Sequence, residues 1–186
     1  SLWVDAMETV CDRVAILAAW TASKSFAQYG ARVGALVASI PDPAHRADVE
    51  NAISYTCRGS WSNCNHLGLL AVSHLLTDEG LRARVAGERE ALVSLLSERV
   101  DAFNTAAIAR GLIYPRYEGG FFVSVFTPDA TETARVAAVD GVYVVPMDGA
   151  VRVALCAVSS ADVPRLVDAV SRGVDAANLS KDKAHA

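Results

Sequence analysis

"TASKSFAQYGARVGAL", residues 21–36, places a single lysine, Lys24, in a turn that is rich in hydroxyl groups. Short apolar runs lie on both sides of this turn, at residues 14–20 and 33–40. Their length and their Val and Ile content predict buried strands. Open α/β sheets usually bind their ligands at polar turns that follow buried strands. The stretch therefore predicts a ligand site around Lys24.

The composition is that of a globular chain. Of its 186 residues, 52% are hydrophobic and 20% are charged, which is enough apolar material for one domain or for one and a half. A net charge of −4 gives no reason to expect binding to nucleic acid or to an anionic membrane. No apolar run reaches the ~18 residues of a transmembrane helix.

The cysteines and histidines give no sign of a metal site. The four cysteines contain no C-x-x-C pair, and the histidines are not interleaved with cysteines or carboxylates at the spacing of metal ligands. Four widely spaced cysteines are typical of reduced thiols in a reducing compartment. We therefore expect a cytoplasmic protein without a bound metal.

One predicted helix is unusually long. Apolar residues recur at helical spacing from about residue 78 to residue 111. At ~1.5 Å per residue such a helix would span about 45 Å, which is longer than a small domain is wide. We therefore expect it to bridge two domains. Upstream of it, helices are predicted at residues 2–11, 43–57 and 66–76, and the last is apolar enough to be buried on most sides.

Beyond residue 111 the pattern alternates between strands and helices. Strands are predicted at residues 119–126, 142–146 and 151–158, and helices at residues 131–139 and 161–177. This order predicts a small α/β or α+β lobe. We thus expect a first domain over residues 1–90, a small domain over residues 91–178 and a disordered tail over residues 179–186.

The turn at Lys24 suggests a specific cofactor. A lysine nucleophile needs a lowered pKa or a carbonyl-bearing cofactor to act on. The guanidinium of Arg32 could take two phosphate oxygens, and the hydroxyls of Thr21 and Ser23 could take others. A lysine beside a phosphate site suggests pyridoxal phosphate held as a Schiff base. A solvated surface lysine would have the same local spacing, so the residues alone leave both interpretations open.

The same stretch resembles a family motif. "SKSFAQYGARVGAL" is similar to the Schiff-base motif of class I (fold-type I) aminotransferases of the aspartate and aromatic aminotransferase group, S-x-S-K-N-F-G-x-Y-x-x-R-V-G-x-L. Thr21 replaces a serine of that motif and Ser25 replaces an asparagine. The matching residues are Lys24, Phe26, Tyr29, Arg32, Val33, Gly34 and Leu36.

Three further segments resemble the same family, in the right order. "CRGSWSNCNHLG" resembles I-R-x-x-Y-S-N-P-P-x-H/A-G, with Trp61 in place of a tyrosine and with Cys64 and Asn65 in place of two prolines. "GGFFVSVF" resembles the G-G-M-F-S-F strand, and "VRVALCAVS" resembles the G-R-V-N-V-A-G segment. The similarity extends over about residues 2–170.

This resemblance implies an α/β fold, namely the C-terminal part of a PLP-dependent transferase. The parts would be the end of the large-domain sheet, a long bridging helix and a small α/β (α+β) C-terminal domain. Lys24 would form the Schiff base with pyridoxal 5'-phosphate and carry a proton between cofactor and substrate carbons. Arg32 and Thr21 would hold the phosphate, with Ser23 nearby.

The resemblance also implies the residues that bind substrate. Arg152 would clamp the α-carboxylate, and its position in an otherwise apolar strand favours function because an arginine without an anion is costly there. Arg58 would reach across a homodimer interface to a distal carboxylate, or would simply complement the dipole of the helix that it ends. Phe122 would line the substrate pocket or belong to the core. Ser62 and Asn63 would contribute to substrate binding.

The family's other cofactor residues precede the Schiff-base lysine. They are an aspartate that protonates the ring nitrogen, a tyrosine, an asparagine and a stacked aromatic residue. Asp5 does not match that aspartate. We therefore expect the chain to be a piece of a longer protein, with the lysine and the arginines but without part of the active site.

The leading hypothesis is PLP-dependent transamination of an acidic or aromatic L-amino acid with 2-oxoglutarate. The partners would be amino-acid and 2-oxo-acid substrates and a second copy of the chain. The lysine motif does not determine the reaction type, so a lyase or decarboxylase of the same fold remains an alternative. A non-catalytic aminotransferase-like effector domain and an inactive fragment remain alternatives too.

Overall fold

The strands on either side of Lys24 pair with each other. β1 (Ile16–Thr21) and β2 (Gly34–Ser39) form an antiparallel two-stranded sheet. A short helix, α2 (Ala22–Ser25), and a 3-10 turn (Tyr29–Ala31) occupy the connection between them. The turn predicted around Lys24 is therefore a helical turn that begins directly at the end of β1.

This computed structural model describes the backbone of residues 2–184 and the side chains of residues 5–180. Within that part of the chain, the side chains of β1 and β2 are mostly exposed, for example Leu17 at 61% and Val37 at 59%. The prediction that both strands are buried is thus wrong for this chain. The reason is that the pair forms a two-stranded ribbon, which has too few strands to bury a face of its own.

Four helices accompany this ribbon. Asp42 caps the N-terminus of α3 (Pro43–Trp61) by accepting a hydrogen bond from the His45 backbone N–H at 2.8 Å. Pro43 occupies the first turn of this helix, where its missing N–H costs nothing. In α4 (His66–Thr77) only Val72 is buried. The prediction that this helix is buried on most sides is therefore wrong. The bounds are α1 (Leu2–Glu8), α3 (Pro43–Trp61), α4 (His66–Thr77) and α5 (Glu79–Ala109).

Helix α5 has 31 residues, which confirms the long helix that the apolar spacing predicts. Its buried residues are Val100, Phe103 and Ala107, which follow each other at intervals of three and four. The chain divides into two compact units, Ser1–Val85 and Ala86–Ala186, so this division falls within α5. The domain limits expected from the sequence, at residues 90 and 178, stay a prediction.

The second unit is an α+β arrangement, which is one of the two that the sequence predicts for this part of the chain. β3 (Phe122–Phe126), β4 (Val145–Met147) and β5 (Ala150–Ala154) form an antiparallel sheet in the order β3-β5-β4. β4 and β5 are joined by Asp148 and Gly149, and Gly149 has a positive φ (+68°), which glycine adopts at no steric cost. After β5 the chain forms a 3-10 turn, so the last predicted strand is shorter than expected.

Helices α6 (Ala130–Val139) and α7 (Val163–Ala184) complete this unit. They approach closely, because a Cβ atom at Gly173 would lie only 2.5 Å from the backbone oxygen of Thr133. α7 includes residues 179–184, where the sequence predicts a disordered tail, and residues 185–186 lie outside the described part. The core between sheet and helices includes Phe103, Val125, Val151, Val153, Leu155, Val163, Val167 and Val170, each 0% exposed.

None of the helices described is both long enough and apolar enough to cross a membrane.

Candidate active site

Lys24 lies one turn beyond the end of β1, in a segment held by hydroxyl groups. Thr21 caps α2, and its Oγ1 accepts a hydrogen bond from the Ser23 backbone N–H at 3.2 Å. Thr21 Oγ1 also lies 2.9 Å from Ser23 Oγ, and Ser25 Oγ donates to the Thr21 backbone oxygen at 2.7 Å. These bonds fix the backbone from which Lys24 projects, while its own side chain stays exposed.

Two cations share one aromatic ring in this turn. Lys24 Nζ lies 4.7 Å from the centroid of the Tyr29 ring, and Arg32 Cζ lies 5.4 Å from the same centroid. Arg32 Nη1 also donates to the Tyr29 backbone oxygen at 2.9 Å. Among the described residues, no carboxylate forms an ion pair with either cation. The turn therefore gathers positive charge that an anionic group would complement.

Arg32 has a left-handed backbone, with φ 54° and ψ 45°. This conformation is disfavoured for a residue with a Cβ atom and persists where the surroundings enforce it. Its neighbour Val33 is 3% exposed and packs with Ala22 and Val72 in a small buried cluster. The segment that carries both cations is thus anchored on α4 by apolar contacts.

Three of the predicted substrate residues lie in the last turn of α3 and in the loop that joins α3 to α4. Arg58 lies in the last turn of α3, and its Nη1 donates to the Ser62 backbone oxygen at 3.3 Å. Ser62 has a left-handed φ of 66°, and Asn63 Oδ1 accepts a hydrogen bond from the Cys64 backbone N–H at 2.9 Å. The hydrogen bond to Ser62 fits a role of Arg58 in stabilising the end of α3. Binding of a distal substrate carboxylate by Arg58 stays a prediction.

The other predicted substrate residues lie in the second unit, on adjacent strands. Val151 and Val153 are 0% exposed, and Arg152 between them projects from the opposite, exposed face of β5. Its Cζ lies 4.9 Å from the centroid of the Phe122 ring. The argument that Arg152 would be costly without an anion is therefore wrong, because water solvates it. Phe122 is 44% exposed, so it is not a core residue of the described chain.

A polar network holds the segment that leads into β3. Asn104 Nδ2 donates to the Tyr117 backbone oxygen at 2.9 Å, and the Tyr114 hydroxyl donates to Asn104 Oδ1 at 3.0 Å. The Tyr117 hydroxyl donates to the Gly120 backbone oxygen at 2.7 Å, and burial raises the pKa of this tyrosine. The network fixes the chain immediately before Phe122.

The structure groups the predicted residues within each unit. In the first unit, Thr21, Ser23, Lys24 and Arg32 occupy one turn. In the second, Arg152 and Phe122 are in contact. Tyr29 belongs to the family motif, but no role for it follows from the sequence.

Asn65 is a second residue whose role was not predicted from the sequence. Its Nδ2 donates to the Ala31 backbone oxygen at 2.8 Å and its Oδ1 accepts from the Gly68 backbone N–H at 3.1 Å. An asparagine directly before an apolar helical run is a helix-capping signal, which could have identified half of this role. Within the described chain, no three His, Cys, Asp or Glu side chains cluster so as to hold a metal ion.

Comparison with known proteins assigns this chain to a family. The family model described as aminotransferase class I and II matches residues 3–170. The chain belongs to this family. The match confirms the resemblance to class I aminotransferases that the four sequence motifs carry, and no curated protein matches the chain.

Solved aminotransferases share the fold. A structure of an aminotransferase from Anaerococcus prevotii DSM 20548 matches at a TM-score of 0.82 and 27% identity, over 87% of this chain and 39% of that one. Aspartate aminotransferase from Thermus thermophilus with maleate matches at 0.66 and 28% identity, over 84% and 41%. A broad specificity aminotransferase from Leishmania mexicana, at 17% identity, matches at 0.74 over 94% and 44% and shows the fold alone.

These structures confirm the fold class that the resemblance implies. The chain spans between 39% and 44% of the length of these three aminotransferases.

Proposed function

We propose that the whole protein is a PLP-dependent aminotransferase that moves the amino group of an acidic or aromatic L-amino acid to 2-oxoglutarate. The observation that carries this proposal is the pair of cations at Lys24 and Arg32, which lie on Tyr29 without a carboxylate partner among the described residues. Membership of the aminotransferase family and the fold support it.

The chemistry of this turn fits pyridoxal phosphate. An amine, a guanidinium and two hydroxyls lie within one short connection, and they match an aldehyde and a phosphate in number and in charge. Arg32 would bind phosphate oxygens through its guanidinium, and Thr21 and Ser23 would donate hydroxyl hydrogens. The Lys24 amine would hold the cofactor's carbonyl carbon. When bound, the cofactor supplies a conjugated ring that withdraws electrons from the substrate's α-carbon.

Lys24 has a second role in this proposal. Its Nζ would take the proton from the substrate's α-carbon and would deliver it to a carbon of the cofactor. A single amine would thus act as general base and then as general acid. In the described structure, Lys24 Nζ lies 4.7 Å from the centroid of the Tyr29 ring, whose face attracts a cation. In the unliganded chain Lys24 lies over this ring, so it must leave the ring to react with the cofactor.

The substrate would be held by arginines. The Arg152 guanidinium matches the α-carboxylate that every amino acid presents, and its exposure leaves it accessible to that group. Arg58 would bind the distal carboxylate of acidic substrates across the interface of a homodimer. Ser62 and Asn63 would lie beside it, and Phe122 would line the pocket next to Arg152.

The lysines of the sequence allow a sharp test. The other lysines of the sequence are Lys181 and Lys183. Borohydride reduction of the whole protein loaded with pyridoxal phosphate should attach the cofactor to the Lys24 peptide, and Lys24→Arg should abolish the label. Label on Lys181 or Lys183 alone would contradict the proposal.

The reaction type is tested by its products. With aspartate and 2-oxoglutarate, or with phenylalanine and 2-oxoglutarate, the loaded protein should release glutamate and the matching 2-oxo acid. Release of an amine with carbon dioxide, or of ammonia, would indicate a decarboxylase or a lyase instead. Cofactor binding without any product would indicate a non-catalytic domain.

A further inference from the structure

We infer that Asn65 is a positioning residue, which ties the first turn of α4 to the turn that carries Arg32. One end of its amide donates to the Ala31 backbone oxygen at 2.8 Å, and the other end accepts from the Gly68 backbone N–H at 3.1 Å. A single side chain thus caps a helix and holds a backbone oxygen beside the proposed phosphate ligand. The inference rests on the proposed function, since it concerns how Arg32 meets a phosphate.

A second contact joins the same two segments. A Cβ atom at Gly68 would lie 2.3 Å from Val33 Cγ2, which is closer than two non-bonded carbon atoms can approach. Glycine therefore lets the first turn of α4 pack directly on Val33. Arg32 lies between Ala31, which receives the Asn65 bond, and Val33, which contacts Gly68. Both neighbours of Arg32 are held by the beginning of α4.

This clamp explains how Arg32 keeps its left-handed backbone. A residue with a Cβ atom adopts φ 54° only where its surroundings enforce it. The family motif has two prolines where this chain has Cys64 and Asn65. A proline ring would stiffen the loop through its fixed φ, but it has no side-chain donor. In this chain the Asn65 amide supplies the constraint through a hydrogen bond to residue 31.

Two substitutions separate the cap from the bridge. Asn65→Ser keeps an oxygen that can cap α4 but is too short to reach the Ala31 oxygen as well. Asn65→Ala loses both bonds. The readout is the dissociation constant of the whole protein for pyridoxal phosphate and for pyridoxal, which lacks the phosphate. The ratio of the two constants isolates the contribution of the phosphate, which Arg32 and its turn would bind under the proposed function.

Both variants should lower the preference for pyridoxal phosphate over pyridoxal about 5- to 10-fold, and pyridoxal affinity should stay unchanged. Asp129→Ser is a matched control, because it makes a comparable cap exchange at α6, where Asp129 accepts from the Glu132 backbone N–H. It should leave both constants unchanged. If Asn65→Ser keeps the wild-type preference for pyridoxal phosphate over pyridoxal, Asn65 is only a helix cap. If a variant loses affinity equally for both ligands, the substitution has caused a general loss of structure. Either result overturns the inference.

Failure of the proposed function would be visible separately. If the wild-type protein binds no pyridoxal phosphate at Lys24, the proposed function fails, and amide hydrogen exchange of the unliganded protein then decides the role of Asn65. Asn65→Ser should accelerate exchange in residues 21–34, where the Ala22 backbone N–H bonds to the Val33 oxygen. Unchanged exchange in that segment would overturn the inference.

Discussion

The guanidinium of Arg152 lies over the ring of Phe122, with its Cζ 4.9 Å from the ring centroid. The strand register pairs Arg152 with Ser124, and Phe122 lies two residues before Ser124 on the same face of β3. A cation over an aromatic ring at an exposed site contributes about 0.5–1 kcal/mol. Phe122 therefore restricts the directions in which the exposed Arg152 side chain points.

Removing the ring should weaken substrate binding without removing catalysis. In the whole protein, Phe122→Leu should raise KM about 2- to 5-fold for acidic and aromatic amino acids alike, with kcat little changed, because the α-carboxylate ligand is less well oriented. Phe122→Tyr keeps the ring and serves as the matched control. Steady-state kinetics on aspartate and phenylalanine decide the matter, and a loss confined to phenylalanine would show that the ring acts only as a pocket wall.

The two arginines should differ in their effect on substrate choice. Losing a desolvated contact between a guanidinium and a carboxylate costs roughly 2–5 kcal/mol, which corresponds to about 30- to several thousand-fold in kcat/KM. Arg152→Ala should cause such a loss for every amino acid. Arg58→Ala should cause it for aspartate and spare phenylalanine. Equal losses for Arg58→Ala on both substrates would assign Arg58 to the end of α3, where it already bonds to Ser62.

The close approach of α6 and α7 should make Gly173 sensitive to the smallest substitution. Gly173→Ala would place a methyl group 2.5 Å from the Thr133 backbone oxygen, so the helices must separate, at a cost of about 1–3 kcal/mol. Gly87→Ala is the control, since nothing lies within 4 Å of that exposed helical position and alanine should stabilise it by about 0.5–1 kcal/mol. Urea unfolding of both variants measures the difference. Stabilisation by Gly173→Ala would contradict the described packing.

The cap of α3 should make stability depend on pH. The hydrogen bond from the His45 backbone N–H lowers the pKa of Asp42 below its usual value of 3.8. A carboxylate whose pKa is lower in the folded state stabilises the fold above its unfolded pKa, and this contribution disappears as the pH falls through the folded pKa. The stability difference between the protein and Asp42→Asn should therefore shrink as the pH falls below about 4. A difference that is constant from neutral pH to pH ~2 would show that Asp42 does not titrate as described.

Much of the local structure follows from signals between near neighbours. The sequence predicts helices at residues 43–57 and 66–76, and the apolar spacing predicts the long helix that the structure shows as α5. The motif around Lys24 likewise identifies the family, because it depends on a short run of residue types in order. Such signals need only the residues within one or two turns of the chain, so the sequence carries them directly.

What only the tertiary structure decides is exposure and contact between distant segments. The sequence predicts that β1 and β2 are buried and that Arg152 without an anionic partner would destabilise the fold. In the structure the two-stranded ribbon exposes β1 and β2, and the pleat of β5 turns Arg152 toward water. The bond from Asn65 to Ala31 joins residues 34 positions apart. Burial is a sum over everything that packs around a side chain, and a long-range bond needs both segments to be placed. Neither quantity is a property of any short stretch of sequence.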